Sequence, residues 1–122
     1  MSDNTLFVYG TLRPGEADTV LVKGQLFDLG WFPGIILGGT DDVVCEKIEV
    51  SDWQAVDRYE GYDPSCPEMS LYIRRPIRIS DDCEGFIYEF NNQVNPVKRI
   101  FSGDWLDYTK EKRGINSGNY GS

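Results

Sequence analysis

Residues Thr5–Tyr9, TLFVY, are apolar or aromatic at nearly every position. A strand with one face in water alternates between apolar and polar residues. One that is apolar at both parities is covered on both faces. The fold must therefore bring packing material to both sides of this short segment. A chain of 122 residues can do that as one domain, from its own apolar surface, without disulfide or metal staples. A single domain spanning 1–122 is expected. Its Gly/Asn/Ser-rich tail, from about residue 114, is expected to be flexible.

The rest of the chain supplies further strands and little helix. Ala17–Val22 reads as a short helix or an irregular segment. Gly24–Trp31, GQLFDLGW, alternates as a second strand, and Pro33–Gly34 marks a turn. Ile35–Leu37 is a short apolar piece, and Val43–Val50, VVCEKIEV, has the period of a strand. Ser51 followed by Gln54 is a capping-box pattern. It opens a helix over Asp52–Glu60, with Trp53, Val56 and Tyr59 or Glu60 on one face. Gly61 stands where a terminating glycine belongs. Leu71–Ile79 is a long strand in which Pro76 demands an edge or a bulge. Asp81–Gly85 turns the chain, Asp81 and Asp82 being turn residues, and Phe86–Phe90 returns as the hairpin partner. Ser102 caps a last helix over Gly103–Lys112. Trp31, Trp53 and Trp105 are assigned to the core. About six strands and two short helices give an α+β fold, a small mixed β-barrel or curled sheet with flanking helices.

Composition removes several classes of function. The net charge is −8, from 20 acidic and 12 basic residues, which argues against nucleic acid as a partner. The basic stretch Lys110–Arg113 reads as a solvated helix end. No apolar run is long enough for a membrane span. The N-terminal MSDNTLFV lacks the basic-then-apolar pattern of a secretory signal. The three cysteines, Cys45, Cys66 and Cys83, are odd in number and scattered, which fits a cytoplasmic location. There is no CxxC and no histidine, so neither a metal site nor any cofactor is expected. Without histidine, Ser–His–Asp and Cys–His catalysis are excluded too.

Candidate chemistry concentrates at a few positions. Tyr9, Gly10, Thr11 and Leu12 follow the first strand. A glycine there can point successive N–H groups the same way, a nest for a carboxylate or oxyanion, or it can simply turn the chain. Glu60 lies in the last helical turn, where the carbonyl end of the helix disfavours negative charge. Tyr59 and Tyr62 can wall it with apolar surface. Both effects raise a carboxyl pKa toward that of a neutral-pH acid–base group; the plain alternative is a solvated glutamate before a cap. Tyr72 and Arg74 share a strand face. The tyrosine can hydrogen-bond a ligand, and the arginine can hold a carboxylate or pair with one of the chain's own acids, as can Arg75. Tyr88 is either core or pocket. Cys66, beside Pro67, has no base near it in sequence to activate it.

Taken together, FVYGTLRPG, GQLFDLGWFPGI, VVCEKIEV, VDRYEGYDP, YIRRPIRI and SGDWLDY resemble the gamma-glutamylcyclotransferase-like, or AIG2-like, family in order and approximate spacing. The resemblance covers about Leu6 to Tyr108. It implies a small mixed β-barrel and a transferase- or lyase-type reaction that cyclises a γ-glutamyl group to 5-oxoproline and releases an amine. It also implies that Tyr9, Gly10, Thr11 and Leu12 bind substrate, that Glu60 is the catalytic acid–base, and that Tyr72 and Tyr88 belong to the pocket. The substrate's own α-amino group is then the nucleophile, which answers the missing imidazole. The implied partner is a small γ-glutamyl compound, not nucleic acid or membrane, and the chain would be a monomer or small homo-oligomer. The SCPEMS segment after Pro64 departs from the plainer loop of the family, and Cys45 stands where glycine is frequent. A non-catalytic module for small carboxylates or amides, and an acidic interaction protein on the same fold, are the alternative readings.

Overall fold

The computed structural model describes residues 4–15 and 18–115, the side chains of 111–115 excepted. The described residues form β1 (Thr5–Val8), β2 (Thr19–Asp28), β3 (Pro33–Glu49), α1 (Trp53–Glu60), β4 (Tyr72–Ser80), β5 (Cys83–Phe90), β6 (Arg99–Ile100) and α2 (Trp105–Ile115). The six strands make one sheet of order β4-β5-β1-β3-β2-β6. β1 lies inside it, antiparallel to β3 and parallel to β5. The alternation along β1 then does what its composition requires. Phe7 and Tyr9 enter one core cluster with Leu26, Ile35 and Trp105. Leu6 and Val8 enter a second with Val50, Tyr72 and Tyr88, against which Trp53 and Val56 of α1 pack.

The sheet is not closed, so the barrel is not confirmed; the architecture is α+β around an open six-stranded sheet. Its two edges explain this. β4 carries Pro76, which cannot donate to another strand, and β6 is two residues long. Such edges offer little for a closing ladder.

Several element limits differ from the sequence reading. The segment read as helical or irregular is strand from Thr19 onward, Ala17 lying outside the described residues. Val20 and Val22 pair with Cys45 and Val43, and β-branched side chains suit that ladder. Pro33 and Gly34 do not turn the chain; they open β3 opposite Asp28 and Phe27. A first strand position tolerates proline because its missing N–H is not needed there. The turn is Leu29–Phe32, closed by the Leu29 N–H donating to the Phe32 carbonyl at 3.0 Å. Ile35–Leu37 and Val43–Val50 belong largely to the single strand β3. It is interrupted where the partner shifts from Leu37 opposite Gly24 to Asp42 opposite Lys23.

The helices are capped by aspartates. The Asp52 carboxylate, not Ser51, accepts from the Ala55 N–H at 3.2 Å. The Asp104 carboxylate accepts from the Asp107 N–H at 3.1 Å, while the Ser102 hydroxyl accepts from the Asp104 N–H. Gly61 ends α1 in the left-handed region at φ 72°, as read from the sequence. α2 runs past Lys112 to Ile115, and residues 116–122 of the expected tail lie outside the described residues. Lys110 is exposed; the side chains of 111–113 also lie outside them.

One buried contact ties the loop after β1 to the sheet. Glu46, in β3 between Val8 of β1 and Thr19 of β2, is fully buried. Arg13 Nε donates to it at 2.7 Å, and the Gly15 N–H reaches both its oxygens at 3.0 and 3.1 Å. Arg13 Nη1 also donates to Asp104 at 2.9 Å. Removing one partner from such a pair strands the other charge out of water. Glu46→Ala is therefore expected to lower unfolding stability by about 3–5 kcal/mol, read from the midpoint of a urea or guanidinium titration at unchanged slope.

Candidate active site

The loop leaving β1 is shaped by contact more than by backbone freedom. A Cβ on Gly10 would come within 2.7 Å of the Pro33 ring. Gly10 is not among the residues with positive φ, so it is not a left-handed backbone that calls for glycine at that position. Close approach to Pro33 is what demands glycine. The Arg13 N–H closes a turn on the Gly10 carbonyl at 3.0 Å. No hydrogen bond among the described residues takes up the N–H groups of Thr11 and Leu12.

These residues form one wall of a cavity of about 370 Å³. The turn after β2 adds Trp31, Phe32 and Pro33; the end of α1 adds Tyr59 and Glu60; Leu71, Tyr72 and Tyr88 come from β4, its approach and β5. All seven residues singled out in the sequence, Tyr9, Gly10, Thr11, Leu12, Glu60, Tyr72 and Tyr88, line it. Among the described residues that line it, Glu60 alone carries a carboxylate, and no lysine or arginine is present.

Burial pushes the Glu60 carboxyl up from 4.5 to about 7. The sequence reading expected a raised value from the helix end and flanking tyrosines. Loss of solvent is the cause found, although Tyr59 itself is 68% exposed. No hydrogen bond or ion pair among the described residues holds the Glu60 carboxylate. Its charge also acts on three phenols. Tyr9, Tyr72 and Tyr88 are all raised above the ordinary tyrosine value, by burial first, with Glu60 among the lesser causes. They therefore stay neutral, and their protons are committed. Tyr9 donates to the Tyr88 carbonyl at 2.6 Å, Tyr72 to the Pro33 carbonyl at 2.6 Å, and Tyr88 to Asp57 at 2.5 Å. Toward a ligand these phenols offer ring surface and oxygen lone pairs, not a free O–H.

Asp57 was missed in the sequence. It sits one turn before Glu60 on α1 and is buried. Arg74 lies against it, Nε at 3.1 Å, with its guanidinium 4.5 Å above the Trp53 ring. The signal was available, since Asp57 follows Trp53 by four positions and so shares its helix face. Arg74 is thus paired internally and does not line the cavity; Arg75 pairs with Glu89 at 3.0 Å. Tyr62 packs on Tyr88 and is not part of the lining. Trp53 is half-buried and Trp105 buried, but Trp31, assigned to the core, is 88% exposed. Cys66 is half-buried and outside the lining. Burial pushes the Cys45 thiol up to about 12, against the lowering effect of Arg13, so it stays protonated and unreactive. Among the described residues no group of three or more acids and cysteines is gathered to hold a metal, and no helix is long and apolar enough to cross a membrane.

Comparison with known proteins agrees with this architecture. The model of the family described as "Gamma-glutamyl cyclotransferase, AIG2-like" matches residues 6–107, and the chain belongs to that family. No curated protein matches it. Two crystal structures share the fold. The uncharacterized protein PH0828 from Pyrococcus horikoshii is 21% identical with a TM-score of 0.64, over 92% of this chain and 98% of that one. YkqA from Bacillus subtilis is 22% identical with a TM-score of 0.64, over 92% of this chain; the match spans 43% of YkqA.

The Glu60 environment has a consequence for stability. The folded protein holds this proton up to about pH 7, whereas the unfolded chain releases it at the ordinary glutamate value near 4.3. The stability Glu60 contributes is fully present below the unfolded value and is lost as pH rises through the folded one. Glu60→Gln is expected to melt higher than the parent above about pH 7, with the gap closing toward about pH 4, in thermal melts across that range.

Proposed function

We propose that this member of the gamma-glutamyl cyclotransferase, AIG2-like family converts a γ-glutamyl amide to 5-oxoproline and a free amine. Glu60 serves as general acid–base, and the main-chain N–H groups of Gly10, Thr11 and Leu12 grip the substrate. The observation that carries the reading is one cavity whose described lining holds both a single desolvated carboxylate and uncommitted loop amides.

The chemistry needs nothing else from the chain. The substrate's α-amino nitrogen attacks its own γ-carbonyl carbon and forms the ring C–N bond. Glu60 takes the proton from that nitrogen. The tetrahedral centre then collapses, the bond to the departing amine breaks, and Glu60 returns the proton to that amine. Holding the two ends in register exploits effective molarities as high as about 10⁵–10⁸ M. That is why neither a serine nor a cysteine nucleophile is called for. The loop amides hold the α-carboxylate or the developing oxyanion. The oxygens of Tyr72 and Tyr88 can accept from the N–H groups of the substrate's neutral α-amine while their own protons stay bound elsewhere; the Tyr9 oxygen already accepts from the Ile35 N–H. With a pKa of about 7, Glu60 can exchange a proton in both directions near neutrality, the condition under which general acid–base catalysis is most effective.

Glu60→Gln is expected to retain the fold and to lose roughly 10²–10⁴ in kcat for 5-oxoproline formation, followed by chromatography of the product. In the parent enzyme kcat/KM should fall as pH drops below about 7, because the base becomes protonated. Full turnover by the Gln variant, or a rate that stays level into the acid range, would overturn the assignment.

A further inference from the structure

The mouth of the cavity differs in chemistry from the loop and carboxylate inside it. Trp31, Phe32, Tyr59 and Leu71 line it and are exposed, Trp31 by 88% and Tyr59 by 68%. Exposed apolar side chains gathered at one place mark a binding surface more often than chance exposure does. Nor is Trp31 loosely presented. Its turn is closed by the Leu29–Phe32 hydrogen bond at 3.0 Å. The Gly30 N–H donates to the Asp28 carboxylate at 2.8 Å, and the Tyr108 hydroxyl anchors that carboxylate at 2.7 Å. A pinned turn holds a large ring in water, where it can be covered without first being ordered.

A γ-glutamyl amide has a polar head and an amine portion. The head is used up by the loop amides and Glu60, so the amine portion has to leave along the mouth. Among the described residues of the lining no cation can hold a second carboxylate there, and no acid besides Glu60 can hold an ammonium. From this we infer that Trp31, Phe32, Tyr59 and Leu71 form a subsite for an uncharged apolar amine, aromatic above all. The preferred substrates are γ-glutamyl amides of arylalkyl amines, in place of γ-glutamyl amino acids or polyamine conjugates. The inference rests on the cyclotransferase reading. Flat rings stack on indole and phenol faces in offset or edge-on geometry. An ammonium over Trp31 is the competing arrangement, weak at so exposed a site.

The test is a panel of four compounds with one head: γ-glutamyl-phenethylamide, γ-glutamyl-methylamide, γ-glutamyl-alanine and γ-glutamyl-putrescine. The expected kcat/KM is highest for the phenethylamide, by about tenfold or more over the methylamide, since even one methylene in an enclosed apolar pocket is worth on the order of 10–200-fold and this subsite is open to water. Trp31→Ala is expected to bring that ratio toward one through KM, and Trp31→Phe to restore most of it. Equal values across the panel, or a maximum on the alanine or putrescine conjugate, overturn the inference. If none of the four is turned over, the cyclotransferase reading fails by itself. Calorimetric binding of the same compounds then decides the subsite: tightest binding of the phenethylamide supports it, and equal affinities overturn it.

Discussion

The arrangement depends on a buried ion pair. Glu46 has no access to water, and the Arg13 side chain is 5% exposed. Charges so placed are tolerated only when their bonding capacity is met. Here Arg13, the Gly15 N–H and Asp104 meet it. The result is mechanical as well as electrostatic. The loop after β1 is tied at its far end to β3 and to the start of α2. The amides near its beginning are thereby left to line the cavity. Pro33, pressed against Gly10, fixes the near end of the same loop.

A second contrast sets the cavity's chemistry. Asp57 and Glu60 are both acids on α1, one turn apart, yet their surroundings oppose each other. Asp57 has Arg74 and the Tyr88 hydroxyl. Glu60 has apolar walls and no partner among the described residues, and so holds its proton up to about pH 7. They lie one turn apart along one helix face: Asp57 meets Arg74 of β4 and Tyr88 of β5, whereas Glu60, at the helix end, lines the cavity. One paired charge holds Tyr88 in place while the other stays available for proton exchange.

Much of this was legible from local pattern. The two-sided burial of β1, the helix ending at Gly61, the edge position of Pro76 and the β4–β5 hairpin all follow from residue spacing and turn chemistry, because each is decided within a few positions of chain. The places that misread are those where a distant partner overrides the local preference. Val20 and Val22 become strand because β3 lies beside them. Pro33 looks like a turn until its strand partner is known. Trp31 is a core residue by composition and 88% exposed in fact, while its turn neighbours Leu29 and Phe32 take the contacts with the second cluster. The barrel was a matter of how the edges meet, which spacing along one chain does not encode.

The candidate site divides in the same way. The sequence by itself determined which residues were worth watching: a glycine loop after a buried strand, a glutamate before a terminating glycine, and tyrosines on later strands, in a chain with no histidine. Only the tertiary structure decided that these share one cavity, that the phenol protons are already committed, and that Arg74 serves Asp57 and not a ligand. Desolvation and hydrogen-bond partnership depend on which groups surround a side chain in space. Those neighbours come from β1, β3, α1, β4 and β5, far apart along the chain.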